Sequence, residues 1–288
     1  MKIGIVTCAE YPFLTEQEKP LLALLRNEGI EASPLVWNDA SIDWSSFDCL
    51  MLRSIWDYHL QVDQFFAWLA MLEENNIKTL NSMAVVNWNR HKFYLQELER
   101  KGVNIIPSVF VERTSQFSLD EVIHKGWEQA VIKPAVSANA HLTESFTLDN
   151  LTHTEAKFKP LVTTRDFLVQ SFMPEIQTMG EVSLIFFDKA YSHAVLKTPA
   201  KGDFRVQADH GGSTVAYQPS ESIIETGRKI LSLIDYDLLY ARIDGVVRKN
   251  QFYLMELELI EPELFFHLSE GSHQRFVQAA LRFLRQLN

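Results

Sequence analysis

Cysteine is scarce in this chain: 288 residues contain only Cys8 and Cys49, both inside apolar runs. Two buried thiols without metal-like spacing exclude a disulfide scaffold and a zinc knuckle, and point to a reducing, cytoplasmic setting. No apolar run approaches the roughly 18 residues of a membrane helix, and Met1-Lys2-Ile3-Gly4 does not open a secretory leader, so the chain reads as soluble with no membrane partner. Cations are in deficit: 27 Lys and Arg face 37 Asp and Glu, a formal net charge of -10 that would repel a phosphate backbone. Nucleic acid is thereby disfavoured as a partner. Also missing are a Gly-x-x-x-x-Gly-Lys-Ser/Thr phosphate loop, a Gly-x-Gly-x-x-Gly turn and a Gly-x-Ser-x-Gly elbow. His193, His210 and His273 lack neighbours at zinc-ligand spacing, and read as surface or core histidines.

What is present is a globular composition, with 47% hydrophobic and 22% charged residues. That suits a packed core and, at this length, two or three domains. The beginning alternates short β-branched runs with helical spacing: strands at Lys2–Cys8, Ile30–Trp37 and Phe47–Leu52, and helices at Glu16–Glu28 and around Phe65, Phe66, Leu69 and Leu72. This is the pattern of a parallel βαβ sheet, whose ligands bind beyond the carboxyl ends of its strands. Arg53, Ser54, Trp56, Asp57 and Tyr58 would stand there, a cation, hydroxyls and an aromatic wall for a small amino-acid-like ligand, or alternatively a helix cap with core aromatics.

After about residue 84 the pattern changes. A helix at Asn89–Arg100 closes at Gly102, strands follow at Ile105–Val111 and Ala130–Lys133, and Ala135–Ser145 suits a mobile loop. Beyond Phe167 the chain is mostly strands, at Phe167–Phe172, Val182–Phe187, Tyr191–Lys197, Leu238–Val247 and Phe252–Ile260, with a helix at Ser220–Ile234. A closing helix at Ser269–Leu287 is expected to bury Phe276, Ala280, Phe283 and Leu287.

The most informative stretch is Met255-Glu256-Leu257-Glu258-Leu259. Alternation puts both glutamates on one face of a strand, either as a solvated acidic edge or as a metal site. Ala241-Arg242-Ile243-Asp244 adds an acid inside an apolar segment, costly unless paired or metal-bound. A two-residue turn at Lys249-Asn250 would set Asp244 opposite Met255; an odd loop or a bulge sets it opposite Glu256. Glu261-Pro262-Glu263 reads as the strand's end.

Taken in order, Lys92, Val131-Ile132-Lys133-Pro134, Val169-Gln170-Ser171-Phe172, Gly180-Glu181-Val182-Ser183, Gly202-Asp203-Phe204-Arg205 with Gly211-Gly212, Ala241-Arg242-Ile243-Asp244 and Met255-Glu256-Leu257-Glu258 resemble the ATP-grasp superfamily over about residues 85–265. The chain is similar to the glutathione synthetase and ribosomal-protein glutamate ligase branch, and Arg53 to Tyr58 resembles the branch of the cycloserine cyclo-ligase. The resemblance implies an α/β and α+β architecture: a parallel βαβ domain at 1–84, then a two-subdomain ATP-grasp fold at 85–166 and 167–288. It implies that Lys92 and Lys133 neutralise ATP phosphates, Gln170, Ser171 and Phe172 form the adenine hinge, and Glu181 holds the ribose. Asp244, Glu256 and Glu258 fall on the Mg²⁺ positions, with Mn²⁺ a substitute and Glu258 where many relatives have Asn. The loop at 135–142 departs from the family in lacking its glycines.

The implied activity is ATP-dependent carboxylate–amine ligation through an acylphosphate, either between molecules or closing a ring. Arg242 and Arg205 are the candidates for stabilising the acyl centre, and Lys197 or Lys201 for reaching the γ-phosphate. The alternatives are a small-molecule kinase on the same fold and a non-catalytic ATP-binding protein. The partners would be a small carboxylate and an amine, and a homodimer is one option for the assembly.

Overall fold

The computed structural model describes residues 1–287. Its first sheet is parallel, with β1 (Lys2–Thr7), β2 (Glu31–Val36), β3 (Cys49–Ser54) and β4 (Thr79–Leu80) in the order β2-β1-β3-β4. Its crossovers are α1 (Lys19–Asn27) and α2 (Val62–Glu74). β3 is buried along its whole length, as a parallel strand covered on both faces must be. In α2 the buried stripe is Phe65, Trp68, Leu69 and Leu72, so Trp68 takes the place expected for Phe66.

The helix expected at 89–100 begins only at Tyr94, as α4 (Tyr94–Arg100), and a separate helix, α3 (Met83–Asn89), ends where it was expected to start. The break has a polar cause. Asn89 bonds the carbonyl of Leu257 (2.8 Å) and the amide of Leu259 (2.9 Å), and the Lys92 amide bonds the carbonyl of Ala135 at 2.8 Å. Backbone and side chain at this turn are committed to other segments, and the turn presents Lys92.

The second sheet is antiparallel, with β5 (Ser108–Val111), β6 (Gln129–Pro134), β7 (Glu144–Thr147) and β8 (Phe167–Ser171) in the order β5-β8-β6-β7. It is accompanied by α5 (Asp120–Ile123) and α6 (Leu151–Val162). α6 had little periodic signal, since its buried positions are only Leu151, Thr154 and Phe158 and Pro160 stands in its last turn. The short α7 (Glu175–Thr178) leads to the third, antiparallel sheet: β9 (Glu181–Phe187), β10 (Ala190–Thr198), β11 (Ser213–Tyr217), β12 (Tyr240–Arg248) and β13 (Gln251–Glu258), ordered β11-β10-β9-β12-β13. α8 (Glu221–Ser232) connects β11 to β12, and α9 (Ser272–Arg285) closes the chain.

α9 buries Phe276, Ala280 and Leu284, while Leu287, beyond the helix end, is exposed. Its apolar face completes a core that joins Ile3, Ile5 and Leu25 of the first sheet's layer to Ile185, Phe187 and Tyr240 of the third. The second sheet keeps a separate core of Val111, Phe146, Phe158 and Phe167. Among the described residues no helix is long and apolar enough to cross a membrane.

Candidate active site

A cavity of about 740 Å³ opens where the three sheets meet. Its acidic wall depends on a bulge. Lys249 and Asn250 both have positive φ (51° and 62°) and form a two-residue hairpin turn, so pairing starts at Arg248 with Gln251 and reaches Gly245 with Leu254. There the register shifts, Met255 is left over, and the next pairs are Asp244 with Glu256 and Arg242 with Glu258. The bulge thus reverses what the two-residue turn alone would dictate and brings the three carboxylates to one wall. Gly245 permits it, since a Cβ there would lie 2.3 Å from the Tyr253 carbonyl oxygen.

Each of these carboxylates meets a cation. Asp244 takes Arg242 Nη2 at 3.0 Å, Lys197 Nζ at 3.5 Å and the Ser183 hydroxyl at 2.5 Å. Glu256 takes Lys92 at 3.0 Å and Lys133 at 3.7 Å; Arg242 also pairs with Glu258, and Lys197 with Glu181. Lys92, Lys133, Lys197, Arg242, Glu181 and Asp244 are all buried. Burial opposes the charge on Asp244, yet Arg242 and Lys197 hold its carboxyl below the usual carboxylate range. Burial likewise opposes the Lys197 charge, but Asp244 and Glu181 outweigh it and raise its pKa. For Lys133 burial wins over Glu256 and the pKa falls. Glu258 keeps 28% of its side chain open to the cleft, and burial, with Asp244 and Glu256 beside it, pushes it up to about 8. Among the described residues no three His, Cys, Asp or Glu side chains stand close enough together to grip a metal. The expected trio of carboxylates is shared out among lysines and Arg242.

Gln170, Ser171 and Phe172 line the same cavity at the end of β8, beside an apolar lining that includes Ile106, Val131 and Val206. Gln170 is fixed by its amide donating to Ser108 Oγ at 3.0 Å. Arg205 lines the cavity and pairs with Asp203 at 2.7 Å, whereas Lys201 is exposed and absent from the wall. The loop expected to be mobile is pinned, since the Ser137 carbonyl accepts from Lys92 Nζ at 2.8 Å and Val136 and Ala138 pack on the first sheet's core.

Of the segment expected to hold substrate, Trp56, Asp57 and Tyr58 line the cavity but Arg53 and Ser54 do not. Both are fully buried. Arg53 pairs with Glu18 at 3.0 Å and donates to the Pro262 carbonyl at 2.7 Å, while Ser54 bonds Thr7 at 3.0 Å. Arg53 belongs to a series that reads the backbone after β13. The carbonyl of Leu259 is taken by Asn81, Ile260 by Tyr240, Glu261 by Trp56, Glu263 by Arg242 and Leu264 by His193, at 2.8 to 3.1 Å. Glu261 and Glu263, read from sequence as a strand end, line the cavity as a result. Only strand alternation was available to flag them, and this segment is not strand.

The family model for the N-terminal domain of the D-cycloserine synthetase DcsG matches residues 3–81. The cycloserine biosynthesis protein DcsG of Streptomyces lavendulae is 27% identical over 286 residues, covering 92% of this chain and 93% of that one. The crystal structure of D-cycloserine synthetase DcsG superposes with a TM-score of 0.89 at 25% identity, over 100% of both chains. The ATP-grasp ligase PsnB, solved with a minimal precursor, Mg and ADP, shares the fold with a TM-score of 0.62 at 14% identity, over 97% of each. Over nearly its whole length the chain is similar to ATP-grasp ligases, and it shares their fold. The βαβ layer followed by two antiparallel sheets is the ATP-grasp ligase fold, and the cavity at their junction is the candidate active site.

Proposed function

We propose that this ligase joins a small amino-acid-like carboxylate to an amine through an acylphosphate, with residues 1–84 choosing the substrate and 85–166 and 167–288 gripping ATP. The observation that carries it is the paired wall of Lys92, Lys133, Lys197 and Arg242 against Asp244, Glu256 and Glu258, facing the apolar slot at Phe172. Adenine stacks in that slot beside Gln170 to Phe172, Glu181 takes the ribose, and Lys92, Lys133 and Lys197 receive the phosphates.

Asp244, Glu256 and Glu258 are hard oxygen donors of the kind a divalent cation takes, but they are paired with Lys92, Lys133, Lys197 and Arg242 and would have to leave those partners and draw together to hold one. Mg²⁺, or Mn²⁺ in its place, supplies neutralisation of the transferring phosphoryl charge when bound. A carboxylate oxygen attacks the γ-phosphorus and ADP leaves; the amine nitrogen then attacks the acyl carbon and phosphate departs with the bonding pair. Arg242, with Arg205 nearer the solvent, stabilises the charge that gathers on the acyl oxygen. Enclosure between the sheets keeps water from the acylphosphate. The likeness to a cycloserine biosynthesis protein supports an intramolecular form, in which one molecule carries both carboxylate and amine.

The test is a panel of amino acids and dipeptides assayed for ATP-dependent ADP and phosphate release. Ligation yields ADP, free phosphate and an amide; phosphate retained on the product would make the protein a kinase instead. Asp244→Asn is expected to abolish Mg²⁺-dependent ADP release in a folded protein, and retained turnover would overturn the metal assignment.

A further inference from the structure

Lys92 stands in the irregular turn between α3 and α4, yet its ammonium group reaches two fixed points, the Glu256 carboxylate at 3.0 Å and the Ser137 carbonyl at 2.8 Å. The amides of this turn lie outside both helical ladders and find partners elsewhere, Lys92 on the Ala135 carbonyl at 2.8 Å and Phe93 on His91 Nδ1 at 3.4 Å. An amide only donates, so Nδ1 is the bare nitrogen of the imidazole and Nε2 carries the hydrogen. Asp166 Oδ2 accepts that hydrogen at 2.8 Å. The imidazole plane is set by Phe93, edge to face with centroids 4.6 Å apart, and Phe93 packs in turn on Phe110 at 5.2 Å.

Asp166 closes a circuit. Its Oδ1 accepts the Arg113 amide at 2.6 Å, and its carbonyl accepts the Ala135 amide at 2.9 Å. Lys92 therefore holds Ala135, Ala135 holds Asp166, and Asp166 holds His91, the residue before Lys92. Ala135 follows the strand of Lys133, and Asp166 immediately precedes β8, where Phe167 pairs with Pro134. The circuit fastens the turn of Lys92 to the strand of Lys133, and both lysines meet Glu256. Of its links only the contact of His91 with Asp166 is made by side chains, and a hydrogen bond to a carboxylate is among the stronger ones.

We propose that His91 and Asp166 are positioning residues for Lys92, and that their bond sets how tightly the chain holds the phosphates of ATP. The inference rests on the reading of Lys92 as a phosphate ligand. Neither His91 nor Asp166 lines the cavity, so the pair acts through the lysine rather than on the nucleotide.

Two substitutions break the bond from opposite sides. His91→Phe keeps an aromatic ring against Phe93 and removes the donor; Asp166→Asn keeps an oxygen for the Arg113 amide and removes the acceptor, and it carries the test if the phenylalanine variant does not fold. In each we expect the ATP Kd, measured with Mg²⁺ by displacement of a fluorescent nucleotide, to rise about 10-fold. The double variant should lie within about 2-fold of either, since the same bond is lost in all of them. In a Lys92→Met background the same substitutions should change the Kd by less than about 2-fold, a silence that a merely structural bond would not show. If that background binds too weakly for the comparison, adenosine decides: an unchanged adenosine Kd in the two variants supports the role, and a rise equal to that for ATP overturns it. An ATP Kd unchanged in both single variants, or raised as much without Lys92 as with it, would overturn the role of the pair alone. A wild-type protein that binds no ATP, or a Lys92→Met variant that binds it as tightly as wild type, would overturn the reading of Lys92 and this inference with it.

Discussion

The two ends of the cleft are built on opposite plans. At the end proposed for the nucleotide, side chains meet side chains: Lys92, Lys133, Lys197 and Arg242 share Asp244, Glu256, Glu258 and Glu181 within 4 Å. At the end proposed for the substrate, side chains meet backbone: Asn81, Tyr240, Trp56, Arg53, Arg242 and His193 each take a carbonyl of 259–264. The first plan balances charge and can exchange partners when a polyanion enters, because each lysine already neighbours a carboxylate it can leave. The second fixes a segment that is neither helix nor strand, whose polar groups would otherwise lie buried and unbonded. On the proposed function, a nucleotide common to many reactions would meet exchangeable charge, and the varied substrate a rigid irregular segment.

The largest expected effect comes from breaking the charged end. Glu256→Gln removes the partner of both Lys92 and Lys133. ADP release should fall about 100- to 1,000-fold, and the protein should lose about 3 kcal/mol of stability from the two stranded cations. Excess ATP should restore part of that stability if phosphates occupy the vacated place, which a thermal melt with and without nucleotide reads directly. Equal turnover in variant and wild type would remove the distinction drawn between the ends.

The carbonyl-clamped end should instead respond to acid. Burial pushes the His193 pKa from 6.5 down to about 4, and the ring reaches the Leu264 carbonyl at 2.9 Å. Since the folded value lies below the unfolded one, the unfolded chain takes up the proton first. The contribution is therefore complete above pH 6.5 and declines as pH falls toward 4, by up to about 3 kcal/mol. His193→Gln, which keeps a donor for the carbonyl, should flatten the denaturation midpoint across that window; an unchanged acid limb would refute the assignment.

The same contrast explains what could be read from the sequence. The βαβ layer and the strand-rich C-terminal half were legible because alternation and helical spacing depend on local periodicity. Asp244 stood out because an acid inside an apolar run has few explanations, Glu256 because strand alternation set it beside Glu258, and Lys133 and Glu181 through the ordered motifs of the family resemblance. The bulge at Met255 was legible only as a condition, since register follows from how Gly245 packs on Tyr253 across the hairpin. Arg53 was misplaced for a related reason. An arginine at the carboxyl end of a parallel strand looks like a ligand, and only the structure reveals that Glu18 and the Pro262 carbonyl, far away in sequence, satisfy it. The split at Lys92 and the thin stripe of α6 escaped because their causes are side chain–backbone contacts across the fold and two apolar positions plus a threonine.

Gly245→Ala tests whether the register itself matters. Its Cβ would collide with the Tyr253 carbonyl oxygen and the Phe252 ring, at 2.3 and 2.5 Å. A cost of about 2 kcal/mol is expected in denaturant unfolding, with a further loss of ADP release as Asp244 moves away from Glu256. A variant that unfolds early yet turns over normally would show that the pairing of those two carboxylates is not needed.

The smallest expected effect is the most specific. Trp56→Phe keeps an aromatic ring against Tyr11, whose centroid lies 5.5 Å away, and deletes only the N–H that holds the Glu261 carbonyl. The lost bond is worth about 1 kcal/mol. If the clamp serves the acceptor, that amount should appear as a roughly five-fold drop in amide formation with the ATP KM unchanged, because the slot proposed for adenine at Phe172 lies at the other end of the cleft. A matching rise in the ATP KM would mean that the two ends are mechanically one, and that the separate plans of charge and backbone are joined through Arg242, the residue that both of them use.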